Sequence, residues 1–290
     1  MLRGNYADSN YNSLQVDGTH NFKHGLLVRA NYVYSKGLSD ADEIFTVGGS
    51  PTSYSNNLNP NGGIQQNYGN TDFDHRNFFS VSYVYQIPGM HSDNKALNLA
   101  ENVLTRHWTV SGLTQLQSGN YVSYTTNGVD INGDGSTAND RPIVVNKSAS
   151  LQSVGIDGSF VKGTPGVYYD VAANNATGAL NPVAASAVHF LVPNTPNNAL
   201  LPQEIGRNSF LQPGNTTNNV ALEKGFDFHE RGTLILRAEA QNIANHNDLI
   251  VGDTDVLDAG SAGFLQPSRS YSPSIGNNQR TLVLWAKFEF

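Results

Sequence analysis

TLVLWAKFEF, residues 281–290, decides the fold. Read in steps of two, Leu282, Leu284, Ala286, Phe288 and Phe290 lie on one face. Thr281, Val283, Trp285, Lys287 and Glu289 lie on the other. A period of two is the signature of a β-strand, because successive side chains point to opposite sides of the pleat. One face is apolar throughout and the other is mostly polar. Chain ends usually fray, yet here the pattern runs unbroken to the last residue printed.

The same alternation recurs upstream. It is weak over 14–20. It is strong over 26–35 (LLVRANYVYS), 77–86 (NFFSVSYVYQ), 107–118 (HWTVSGLTQLQS), 219–226 (NVALEKGF) and 233–241 (TLILRAEAQ). With the terminal segment this gives seven strands, and the long connections leave room for a few more. Helical periodicity shows only, and weakly, in 94–104.

Composition narrows the class. The net charge is −7, from 17 Lys+Arg against 24 Asp+Glu, which argues against a nucleic-acid partner. Charged residues are 14%, well below the usual ~25%, so Asn, Ser, Thr, Gln and Gly supply the polarity. Cysteine is absent, which removes disulfides and thiolate metal sites. The sequence lacks an apolar run of about 18 residues, the length of a transmembrane helix. Its start, MLRGNYADSN, lacks the apolar stretch of a secretory signal.

The connections alternate in length. Residues 21–25, 87–106 and 227–232 are short or medium joints; 36–76, 119–218 and 242–280 are long. Long unstructured loops are uncommon inside compact soluble domains. Short turns at one end and long loops at the other are expected of an outer-membrane β-barrel, whose tilted strands need about 9–11 residues each. The 13 Tyr and 13 Phe, many near strand ends, suit aromatic girdles at the membrane interfaces. The fold expected is therefore all-β: an antiparallel transmembrane sheet, part of an outer-membrane barrel, forming one domain over 1–290 with long extracellular loops. The competing reading is a secreted or surface β-rich binding domain, a sandwich with its apolar face inside. The face that carries the apolar side chains separates the two.

Several segments also follow a familiar order: 9–16 (SNYNSLQV), 25–40 (GLLVRANYVYSKGLSD), 72–89 (DFDHRNFFSVSYVYQIPG), 108–120 (WTVSGLTQLQSGN), 132–142 (NGDGSTANDRP), 206–214 (GRNSFLQPG), 221–226 (ALEKGF) and 236–248 (LRAEAQNIANHND). Together with the terminal strand this resembles the C-terminal part of the barrel of TonB-dependent outer-membrane receptors, in the Oar-like branch with a carboxypeptidase-regulatory-like N-terminal domain. The resemblance implies a location in the cell outer membrane and a role in ligand binding and uptake. Its implied partners are membrane lipid, the remainder of the barrel and plug, and an unknown ligand. It also implies that the aromatic terminal strand, with Phe290, is the address read by the barrel-assembly machinery. Nothing in the chain resembles the plug or TonB box, and seven strands fall far short of the family's barrel, so the chain reads as a C-terminal fragment.

Candidate chemistry is sparse. In DINGDGSTAND, Asp130, Asn132 and Asp134 followed by Gly135 reproduce the first half of a calcium loop, with Ser136 and Asp140 as further oxygen ligands for Ca²⁺. Arg141 stands where an EF-hand needs Glu. The competing reading is an Asx-rich turn with solvated side chains. In DFDHR, Asp72, Asp74 and His75 could form a metal or acid–base site, but they read better as a strand re-entering the sheet at a polar rim. His189 and His246 stand alone in loops. The sequence has no phosphate loop, HExxH or GxSxG, so an enzyme is not expected. Lys224, on the apolar face, should sit near a membrane rim and snorkel.

Three geometric expectations follow. Phe290 and the short joints share the periplasmic end. The sheet is open and curved. Glu223 faces Arg237, which in turn faces Glu289, with Lys287 opposite Glu239, Ala238 opposite Phe288 and Leu236 opposite Phe290.

Overall fold

The computed structural model describes residues 8–40, 68–90, 94, 101, 103–126, 128–133, 137, 140–195, 204–228, 232–269 and 279–290. Seven long antiparallel strands form the main sheet: β1 (Ser9–Phe22), β2 (Leu26–Ser39), β3 (Asn77–Ile87), β4 (Trp108–Gln117), β5 (Asn215–Asp227), β6 (Thr233–Gln241) and β7 (Thr281–Glu289). Each pairs with the next, so they run up and down in chain order. All short joints fall at one end and all long ones at the other, as the connection lengths required. The β1–β2 joint is three residues, with His24 and Gly25 in the left-handed region (φ 70° and 81°). That conformation suits the twist of a hairpin.

The sheet is open, with β1 and β7 as its edges. Every residue of both strands is exposed. In the expected helical stretch, 101, 103 and 104 are helical. Residues 95–100 and 102 lie outside the described set.

One expected register is correct and one is not. Glu223 pairs with Arg237, and their side chains form an ion pair at 3.7 Å. Arg237 faces Trp285, however, not Glu289, which pairs with Thr233. Glu239 accordingly faces Val283 rather than Lys287, while Ala238 faces Leu284 and Leu236 faces Ala286. The slip is four residues, an even number, so every side chain keeps its face. The reason is backbone pairing. β6 and β7 are both nine residues and match flush, from Thr233↔Glu289 to Gln241↔Thr281. The charge-matched register would have left Thr233 to Ile235 and Thr281 to Leu284 without strand partners. Backbone hydrogen bonds outweigh two exposed ion pairs. The charges find other partners: Arg237 reaches Glu239 at 3.4 Å and lies over the Trp285 ring at 5.6 Å, and Lys287 reaches Glu289 at 2.6 Å.

The long connections are not structureless. Residues from 119–218 and 242–280 fold together around their own apolar core, centred on Ile131, Val154, Phe190, Val192, Val256 and Phe264. Phe190–Val192 pairs parallel with Val154–Asp157 and antiparallel with Ile143–Val144, and Thr164–Asp170 completes a four-stranded sheet. Two short helices, Gly158–Val161 and Val171–Thr177, are capped by the carboxylates of Asp157 and Asp170. Such caps satisfy the orphan backbone N–H groups of a helix start. The hydrophobic core of the protein thus lies in this loop module, above the end of the main sheet where the long connections emerge.

Candidate functional site

The main sheet has two faces of opposite chemistry. Strand pairing brings Phe22, Leu26, Tyr85, Val110, Leu222, Ala238 and Leu284 to one side, a continuous apolar belt across all seven strands. The other side carries Asp17, Arg29, Ser82, Ser111, Glu223 and Arg237. The apolar belt is bare: Leu284 is 78% exposed, Leu282 72% and Phe288 49%. A sandwich would bury this face under a second sheet. Among the described residues only Val103 and Leu104 border it, at the short-joint end, and no second sheet covers it, so the sandwich reading fails. An apolar outer face and a polar inner one are what a sheet needs when lipid lies on one side and water on the other.

Large aromatic residues cluster toward both ends of the belt. Phe22, Trp108, Phe226, Phe228, Phe288 and Phe290 gather at the short-joint end, and Tyr32, Tyr34 and Phe79 at the other. At mid-belt Gly112 lies beneath the Tyr83 ring; a Cβ there would meet Tyr83 at 2.5 Å. The ring covers backbone that would otherwise be bare.

Lys224 sits where a snorkelling lysine belongs, three residues from the end of β5. Its ammonium donates to the carbonyls of Arg106 and Gly225, and lies 4.7 Å from the Phe226 ring and 5.7 Å from that of Trp108. The charge is thereby held against strand-end carbonyls and ring faces instead of in hydrocarbon.

DFDHR is a rim, as expected. Asp74 accepts from the Gly37 N–H at 3.1 Å and pairs with Arg76 at 3.0 Å. His75 Nδ1 donates to the Ser118 carbonyl at 2.8 Å. β3 begins at the next residue but one. Burial alone would lower the Arg76 pKa, but the hydrogen bond and charge of Asp74, together with Tyr121 and Tyr34, outweigh that and hold it above its ordinary value.

A second polar cluster, assembled from distant parts of the chain, ties the loop module to the sheet. Asn208 is fully buried with φ 50°. It exchanges amide–carbonyl bonds with Asn70 (2.7 and 2.9 Å), and Ser123 bonds its side chain at 3.1 Å and its N–H at 2.9 Å. Arg207 donates to the Ser39 carbonyl, and Gln212 exchanges two bonds with Val251 (2.8 and 2.7 Å). The segment 206–214, GRNSFLQPG, therefore pins all three long connections together. Its only sequence signal was the unusual residue string itself. The partners stand 85 and 138 residues away.

At the calcium-loop candidate, Asp130, Asn132 and Asp140 are described, and Asp134 and Ser136 lie outside the described residues. Asp130 Oδ1 accepts from the Gly133 N–H at 2.7 Å, an Asx-turn bond. Asn132 and Asp140 are buried. Among the described residues no three His, Asp or Glu side chains converge as a metal site.

An open, twisted antiparallel sheet with a lipid-type face, a water-type face, and long connections confined to one end defines a β-sheet membrane protein of the outer-membrane class. A sequence model described as the outer membrane beta barrel domain matches residues 2–282, and the chain belongs to that family. Its location is accordingly the bacterial outer membrane. No curated protein and no solved structure matches.

Proposed function

We propose that the chain is the C-terminal part of the barrel of an Oar-like TonB-dependent receptor, which captures a ligand at its long-loop end and passes it across the outer membrane. The supporting observation is the one-sided placement of a folded loop module. A module with its own core, clamped to the barrel rim by 206–214, is a structured surface for recognition instead of a set of slack linkers. The two free edges support a larger barrel. Seven strands closed on themselves would leave too narrow a lumen for a plug, and bare edges invite pairing. β1 and β7 are thus the seams to the remaining strands, and the Phe290 strand is the segment offered to the assembly machinery. The reading is of a receptor and not of an enzyme.

Protease added to intact cells tests the orientation. Cuts within 119–218 and 242–280 are expected, with 227–232 protected until the cells are broken. A cut at 227–232 in intact cells would place the loop module in the periplasm and overturn the receptor reading. A separable part of the proposal is a Ca²⁺ ion held by Asp130, Asn132, Asp134, Ser136 and Asp140. Calorimetric titration with CaCl₂ tests it, and absence of binding heat assigns the loop to the Asx turn alone.

A further inference from the structure

At its long-loop end the water-type face of β1–β4 is lined by small and amide side chains, yet it also carries bare aromatic rings. Tyr11 is 62% exposed and Phe73 64%, and with Phe78 they ring a cavity of about 360 Å³. Ligand cavities run from roughly 300 Å³ upward. Gln15, Gln117 and His75 also line it. Exposed rings on a water-facing wall gain nothing from lipid; they gain from a ligand with an apolar face.

We propose that this cavity binds one residue of a neutral oligosaccharide. The proposal rests on the reading of this face as the water-filled side. Three observations select the ligand. First, the lining is uncharged in effect. Its one carboxylate, Asp74, is engaged by the Gly37 N–H and by Arg76, so neither an anion nor a cation finds a free counter-charge there. Second, the polar groups both donate and accept. Each glutamine amide does both, and because His75 Nδ1 donates to the Ser118 carbonyl, Nε2 of the neutral ring is an acceptor. Sugar hydroxyls need that mixture, while the C–H face of a pyranose lies flat on an aromatic ring. Third, the floor holds an unmet polar group. Thr71 is 4% exposed and its hydroxyl lines the cavity with no partner in the protein. Such groups are rare without a ligand or water to satisfy them. Gly37 keeps the floor open, since a Cβ there would meet Thr71 Oγ1 at 2.9 Å.

The test uses the full chain in detergent and saturation-transfer NMR against neutral gluco-, xylo-, manno- and galacto-tetraoses, with polygalacturonate and a tyrosine-rich peptide as contrasts. At least one neutral tetraose should bind. Phe73→Ala and Tyr11→Ala should each weaken it about tenfold, the scale of a lost aromatic contact, and Phe73→Tyr should retain it. If no neutral sugar binds, if binding survives both alanine variants, or if a contrast ligand binds more tightly through the same residues, the proposal is overturned. A spin label on Tyr11→Cys separates this from the underlying reading. Contact with lipid-soluble oxygen in place of a water-soluble relaxant would show that the face itself was misassigned.

Discussion

Arginine placed at two adjacent positions of β3 should have opposite consequences. β3 has eleven residues, Asn77–Ile87, with Ser82 at its centre. At about 3.3 Å per residue and a tilt of about 40°, it rises roughly 28 Å, close to the ~25 Å apolar band of such proteins. Val81 then lies about 3 Å from the bilayer midplane by the same rise and tilt. It belongs to the apolar belt, paired with Ala30 and Thr114, whereas Ser82 belongs to the polar face, paired with Arg29 and Leu113. Val81→Arg puts a guanidinium into hydrocarbon near the midplane, at about 2–4 kcal/mol. That lowers the folded ratio by about 30- to 900-fold. Ser82→Arg extends into water and should stay within about 0.5 kcal/mol. Urea unfolding in lipid vesicles, followed by Trp108 and Trp285 fluorescence, measures both. Equal costs for the two variants, or a Val81→Arg cost below that of Ser82→Arg, would refute the assignment of faces.

The absence of native cysteine makes a register test clean. Ala238→Cys with Leu284→Cys should crosslink on oxidation, and Ala238→Cys with Phe288→Cys should not, as mobility on non-reducing gels would show. Asn208→Ala removes the side-chain amide that donates to the Asn70 carbonyl and the oxygen that accepts from the half-buried Ser123 hydroxyl, so limited proteolysis should cut the loop module faster, with a stability loss of about 1–3 kcal/mol. Burial raises the Asp253 carboxyl above its ordinary 3.8. A raised folded pKa favours the fold below the unfolded value, so module stability should fall as pH rises from 3.8 through the folded pKa. Asp253→Asn should flatten that slope in thermal melts across the range.

Much of the main sheet was legible because each strand reports two environments. In β6 the alternation is unbroken, and its boundaries, 233–241, are those of the structure. β1 was read as a weak 14–20 and proves to be Ser9–Phe22. Its face toward the belt includes Asn12, Gly18 and His20, which dilute the period-two signal, and its length is set by pairing with β2. Charge complementarity points to the wrong β6–β7 register, because flush backbone pairing outweighs exposed ion pairs. The loop module was invisible for a different reason. Its core joins Ile131, Val154 and Phe190 to Val256 and Phe264, short apolar clusters scattered along the chain with no shared period. The ion pair of Asp74 with Arg76 at the rim was readable because both residues stand in one short string. The clamp at Asn208 was not, because its partners are distant.

The central claim is that alternate residues of these strands face lipid. Single nitroxide labels at each position from Asn77 to Ile87, in membrane-inserted protein, test it most directly. Oxygen accessibility should peak at Phe79, Val81, Tyr83 and Tyr85. Accessibility to a water-soluble nickel chelate should peak at Phe78, Ser80, Ser82 and Val84, with the two profiles out of phase at a period of two. Profiles that rise and fall together, or that show no period, would contradict the account.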